Sequence, residues 1–305
     1  MTPRTVWCTA LLVAATAPVP AIAATPIHQV RPLSPQGNVS VDNLKGRIVV
    51  RTWNRAEVGI TGSLGDGVEK LVVEGTPADL RIEVRYPSGN GSWFGWGGNR
   101  GGEPSVIEIS VPSRAGVKVD SVSADVDVAG VAGRHLSVDT VSGNVLIRGA
   151  RPAETNVDSV SGNLDLELDT ARLTVDSVSG DVRVKGNVTG VVGIETVSGD
   201  AQVEAGKLER LTLSSVSGDS RVRAALAPGG RIAGDTVSGN LTLSLPRDTS
   251  AQLRVETFSG DITSPVGRVH TEQYGPGKHL EARLGEGGGE IQLEAFSGDV
   301  RVNLE

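Results

Sequence analysis

Two carboxylate-rich columns are the residues in this chain whose types and spacing could do chemistry. Asp120, Asp139, Asp158, Asp176, Glu195, Asp235, Glu256 and Glu294 each stand three residues before a repeated serine, and Ser214 is the one interruption. Asp125, Asn144, Asn163, Asp181, Asp200, Asp219, Asn240, Asp261 and Asp299 stand two residues after it. Oxygen sets of this kind suit a hard cation such as calcium, which takes several carboxylate and carbonyl ligands. The same residue types also cap turns by accepting hydrogen bonds from backbone N–H groups, and stacked amides pair favourably. Like charges one strand spacing apart, about 4.8 Å, repel by only about 0.9 kcal/mol in water. Solvated carboxylates at that spacing need no cation, and the glycine-rich nonapeptide of calcium-binding β-helices is absent. The reading is therefore turn caps, with no metal and no cofactor.

Catalytic constellations are not in evidence. His28, His135, His270 and His279 are scattered, with no His-Glu-x-x-His, no Gly-x-Ser-x-Gly and no phosphate-loop motif. A serine that recurs in every repeat is a scaffold part, and none has a histidine base nearby in sequence. Some parallel β-helices cleave polysaccharides with clustered acids, which keeps a polysaccharide-active enzyme as the alternative reading. Such sites need long loops to wall a cleft, and repeats this short leave no room for them. No catalytic residue is assigned, and the chain is expected not to be an enzyme.

The element that positions both columns is one phrase, an apolar residue followed by Ser-Gly-Asp or Ser-Gly-Asn. Its serines are Ser142, Ser161, Ser179, Ser198, Ser217, Ser238 and Ser259, at gaps of 19, 18, 19, 19, 21 and 21, with Ser297 a further 38 on, which reads as two periods. Self-similarity at this period marks a solenoid whose coils become stable by stacking. In the coil around Ser179, Leu173 and Val175 alternate with polar neighbours, as do Val182 and Val184, so two short strands face one interior. The fold expected is all-β, a parallel β-helix-like solenoid with coils of about 19 residues. About ten layers of about 4.8 Å would make a rod of about 48 Å. Ser-Gly-Asp is the corner, and the glycine column Gly143, Gly162, Gly180, Gly199, Gly218, Gly239, Gly260 and Gly298 supplies the positive φ it needs. Ala124 replaces that glycine in the first repeat, so its corner either differs in shape or carries strain.

Around the repeats, residues 1–23 read as a secretory signal: Arg4, an apolar stretch from Val6 to Ala17, then Ala21-Ile22-Ala23 as a cleavage site. The apolar run is too short to span a membrane, and no later segment qualifies. An exported product, periplasmic, secreted or held at the cell surface, is expected. Its only cysteine is Cys8, within the signal, so no disulfide staples the mature fold. A formal net charge of −7 argues against nucleic acid as a partner. Residues 24–37 carry three prolines and read as an extended tether, 38–115 as an N-terminal β region, and 116–305 as the repeat solenoid. His279 to Leu293 reads as a hairpin that could cover the end of the stack, since the chain stops inside a strand pattern at Glu305. Within 38–115, the glycine-rich segment 88–102 gathers Trp93, Phe94 and Trp96. They are the candidate partner-binding residues, because exposed aromatics concentrate apolar area at one place; a plug against the solenoid is the structural alternative.

The run Asp-Ser-Val-Ser-Gly-Asp followed by Val-x-Val, behind a signal peptide, resembles the bacterial putative adhesin family of unknown function, as does the stretch Gly37 to Trp53. The resemblance covers Asn38 to Glu305 and implies a β-solenoid of the cell envelope that serves as an adhesin or interaction scaffold, with an envelope protein or a glycan as partner. It carries no catalytic or binding residue to this sequence.

Overall fold

The computed structural model describes residues 25–87, 103–273 and 275–305. Residues 1–23, read above as a signal, and the candidate residues Trp93, Phe94 and Trp96 lie outside them. The described chain is all strand and turn. Its N-terminal part forms β1 (Thr25–Pro32), β2 (Asn38–Trp53), β3 (Glu57–Leu64), β4 (Lys70–Thr76), β5 (Asp79–Arg85), β6 (Ser105–Pro112) and β7 (Gly116–Ala129). The regular coils follow as β8 (His135–Ser142), β9 (Val145–Ala150), β10 (Glu154–Ser161), β11 (Leu164–Leu168), β12 (Arg172–Ser179), β13 (Val182–Lys185) and β14 (Gly190–Ser198). Next come β15 (Ala201–Ser217), β16 (Ser220–Ser238), β17 (Leu241–Leu245), β18 (Ala251–Ser259) and β19 (Ile262–Thr263). The chain ends in β20 (His270–Thr271), β21 (Lys278–Leu284), β22 (Gly289–Ser297) and β23 (Val300–Leu304).

Strands before the corner stack in parallel on one another, Val138 on Val157 on Val175 on Ile194, and strands after it do the same, Ile147 on Leu166 on Val184 on Val203. Each strand points alternate side chains inward, so the two layers share one aliphatic core of Val, Leu and Ile. The corners follow the expected geometry at seven of the eight glycines. Gly143, Gly162, Gly180, Gly199, Gly218, Gly239 and Gly298 have φ between 118 and 152°. Gly260 does not share it: its backbone lies outside the left-handed region, and glycine is needed there because a Cβ would sit 2.0 Å from the Gly298 carbonyl oxygen. At Ala124 the corner differs in shape and avoids that strain, since among the described residues none other than glycine has positive φ. Ser121 holds that corner, its hydroxyl donating to the Ala124 carbonyl and accepting from the Ala124 N–H.

The order of coils in space departs from the order in sequence at both ends. At the C-terminal end, β22 lies between β16 and β18, and β23 between β17 and β19. The gap of 38 is therefore not two stacked periods. The chain runs out through β18 and β19, turns back along β21, and inserts its last coil one rung inward. The His279–Leu293 hairpin is corrected in the same way: β21 pairs antiparallel with β18, not with β22. The covering role falls to β21, which seals the edge of the terminal coil and is itself flanked by the short β20. At the N-terminal end β2 lies between β7 and the coil made of β5 and β6, while β3 and β4 cover that coil in antiparallel fashion. The change at 115/116 is thus one of connection, and a single core runs through both parts.

The tether expected at 24–37 is also corrected. Thr25–Pro32 pairs antiparallel with β3, and Ile27 and Leu33 are buried. β1 is an edge strand, where a missing proline N–H costs no ladder bond; the prolines that suggested a free tether fit that position equally.

One buried charge ties this end together. Asp127 on β7 accepts two bonds from Arg51 on β2, at 3.0 and 2.9 Å, and two from Arg148 on β9, at 3.0 and 2.9 Å. The Arg51 hydrogen bonds hold its carboxyl below the usual carboxylate range, burial opposes them, and Arg148 adds to the lowering. A carboxylate with a depressed folded pKa stabilises the fold above its unfolded value, about 3.9, and loses that contribution as pH falls through the folded value. Asp127→Asn should cost about 1–2 kcal/mol at pH 7, allowing for screening of the half-exposed guanidiniums. It should also flatten the loss of stability below about pH 4. Urea melts of both proteins across pH 2–7 check this; parallel pH profiles would show that the cluster contributes no linkage.

Candidate functional site

The corner edge of the stack carries three columns, set by strand parity. Leu173, Val175 and Ser177 point inward, so Thr174, Asp176 and Val178 point outward. The apolar residue of the repeated phrase therefore faces solvent. In spatial order the ridge is Leu44, Val122, Val141, Val160, Val178, Val197, Val216, Val237, Phe296 and Phe258, with exposures from 38 to 59%. A continuous row of exposed aliphatic and aromatic side chains along a whole edge differs from the scattered apolar residues of an ordinary surface. Sequence reasoning missed this ridge. The signal was present in the parity of each coil, but an apolar residue in every repeat was credited to shape alone.

Beside the ridge runs the first acid column, two positions back on the same face. Its N-terminal part is neutralised: Arg81 pairs with Asp42 at 3.0 Å, and Lys118 with Asp120 and Asp139 at 2.6 and 3.1 Å. Among the described residues, Asp158, Asp176, Glu195, Asp235 and Glu256 have no cation within ion-pair distance. Burial pushes the Asp235 carboxyl up, and the neighbouring Glu294 adds to it. Asp42 is raised by burial as well, with Arg81 opposing and Asp120 reinforcing. A raised carboxylate costs the fold stability while ionised, above its folded pKa, so Asp235 and Asp42 are kept at these positions against a penalty.

The second column, two residues after the serine, does a different job. Each side-chain Oδ1 accepts the backbone N–H of the equivalent residue on the next rung: Asp125 from Asn144, Asn144 from Asn163, Asn163 from Asp181, Asp181 from Asp200 and Asp200 from Asp219. The series continues from Asp219 to Asn240, Asn240 to Asp299 and Asp299 to Asp261, at 2.8–3.2 Å, and follows the spatial order of the coils. These are the turn caps expected of Asp and Asn, made between coils.

The ridge and the free acids border a groove that widens toward the C-terminal end into a cavity of about 850 Å³. Val178, Val197, Val216 and Val237 line one side; Asp176, Glu195, Asp235 and Glu256 line the other. The Phe258 and Phe296 rings stack there at 5.0 Å, with 6° between their planes. Lys278, which bonds Asp261, and His279, 3.4 Å from Glu272, wall the end. A second section of about 570 Å³ continues past Val160 and Val141 to Leu44. The wall of coils is therefore not featureless.

The sequence of residues 37–303 matches the family described as Toastrack DUF4097, and the chain belongs to that family. Among solved structures, a putative adhesin from Bacteroides fragilis is 12% identical, with 92% of this chain and 98% of that chain covered and a TM-score of 0.43. A putative lipid binding protein from Parabacteroides distasonis is 8% identical over 91% and 96% of the two chains, with a TM-score of 0.38. A putative cell adhesion protein from Clostridium sporogenes is 12% identical over 92% and 100%, with a TM-score of 0.26. No curated protein matches the chain significantly. Among the described residues no helix is long and apolar enough to cross a membrane.

Proposed function

We propose that this chain is an exported, non-enzymatic interaction protein of the bacterial cell envelope, of adhesin type, which meets its partner along the corner edge. One observation carries the reading: an exposed apolar ridge and an uncompensated acid column run side by side over successive rungs. Burying such a ridge is favourable at about 25 cal/mol per Å² of apolar surface, and among the described residues its side chains stay exposed. Identical rungs suit contact over a length, whereas catalysis needs one place unlike the rest. Trp93, Phe94 and Trp96, which lie between β5 and β6 in sequence, are proposed to join the same contact. The partner is an envelope protein or glycan.

The test is sedimentation of the labelled protein with isolated bacterial envelopes. Val178→Ser, Val197→Ser and Val216→Ser combined should lower the bound fraction at least tenfold while leaving the melting temperature nearly unchanged, since all three side chains are already half exposed. Replacing Trp93, Phe94 and Trp96 by serine should act in the same direction. A valine variant that binds as wild type would sink the corner edge as the interaction surface.

A further inference from the structure

The period of the ridge and the charge of its neighbouring column restrict what can lie along them; this step rests on the interaction edge proposed above. From Asp158 to Glu256, Ser214 excepted, the column offers carboxylates with no counter-charge among the described residues, so the occupant has to bring cations beside its apolar side chains. A second copy that docks through the same stretch of its own edge brings none, because Asp158 to Glu256 is equally acidic there. The backbone period then decides between conformations. Rungs recur about every 4.8 Å. An α-helix laid along the stack presents a side chain every 5.4 Å, a drift of about 0.6 Å per rung, and stays within half a rung for about four turns. Same-face residues of a strand are about 6.8 Å apart, a drift of about 2.0 Å per residue, and pass half a rung by the third residue. A strand cannot add to the ladder here either, since every interior rung is already paired on both sides.

We propose that the corner edge is the docking site for a basic amphipathic α-helix of a partner protein. Its apolar stripe lies on Val178, Val197, Val216 and Val237, and its lysines or arginines face Asp176, Glu195 and Asp235. The stacked Phe258 and Phe296 at the wide end of the groove receive the largest apolar side chain of the helix.

Three labelled 14-residue peptides test this by fluorescence anisotropy against the full chain. One has leucine and lysine at helical spacing, one has the same composition in strict alternation, and one has glutamate in place of lysine at helical spacing. The first should bind at least tenfold more tightly than either of the others. Val178→Ser with Val197→Ser and Val216→Ser should weaken it tenfold or more at unchanged melting temperature. Asp176→Asn with Glu195→Gln and Asp235→Asn should weaken it and remove most of its salt dependence. Equal binding of the alternating peptide, or binding indifferent to the valine substitutions, overturns the proposal. So does self-association through the ridge in the absence of peptide, which would assign the edge to a second copy. If no peptide binds while the valine variant still loses envelope binding, the interaction edge stands and the basic helix falls; if envelope binding is also unchanged, both fall.

Discussion

Gly180→Val should destabilise the protein by more than about 2 kcal/mol, whereas Gly193→Val, one strand further along, should leave it unchanged or slightly more stable. The two glycines sit on the same stack under different constraints. Gly180 has φ +125°, a region closed to a β-branched side chain. A Cβ there would lie 2.2 Å from the Gly162 carbonyl oxygen, so the rungs would have to part as well. Strain of this kind costs about 1–3 kcal/mol before any rung moves. The damage would spread, because Gly199 packs in the same way on the carbonyl of Gly180. At Gly193 the strand is extended and nothing lies within 4 Å of an added Cβ. Its neighbours across the ladder are Thr174 and Thr212, so a β-branched residue continues a column that already suits one. Denaturant midpoints of the two variants decide the matter. Equal midpoints would mean that the corner column has no geometric need for glycine.

That contrast shows what the sequence made legible and what it did not. A glycine that recurs beside Asp or Asn at a fixed period announces a corner, and the two-strand coil follows from the alternation of Leu173, Val175, Val182 and Val184. The caps were legible for the same reason, since Asp and Asn at a corner have few other roles. The order of the terminal coils was not. Ser238, Ser259 and Ser297 belong to repeats with nearly the same inward residues, so each can dock on any other, and local pattern cannot choose among the orders. β1 was missed because its prolines occupy an edge, where they break nothing. The ridge was legible in principle from the outward parity of Val178, and was passed over because an apolar residue in a repeat reads first as core.

The inserted last coil carries the second large expectation. A chain ending at Gly288 lacks β22 and β23 and should lose about 4 kcal/mol or more, a fall of about 10 °C for a protein of this size, and should self-associate. Removing that rung leaves β16 and β18 facing each other across a missing layer, with the backbone groups that β22 satisfied on both sides left unpaired. It also breaks the cap series at its last two links, Asn240 to Asp299 and Asp299 to Asp261. The buried side chains of Ile291, Leu293, Val300 and Val302 are lost with it. Direct closure of β18 onto β16 is the competing outcome, because Ser238 and Ser259 stand at equivalent positions of their coils. Closure would demand that the connection after Leu245, which now crosses two rungs, collapse to one while β21 keeps its grip on β18. Thermal melting with light scattering separates the two. A truncated chain that melts within a few degrees of wild type and stays monomeric would show that closure is easy, and that the inserted coil is an accident of connection. The expected loss would show that the inserted coil of β22 and β23 locks the end of the stack.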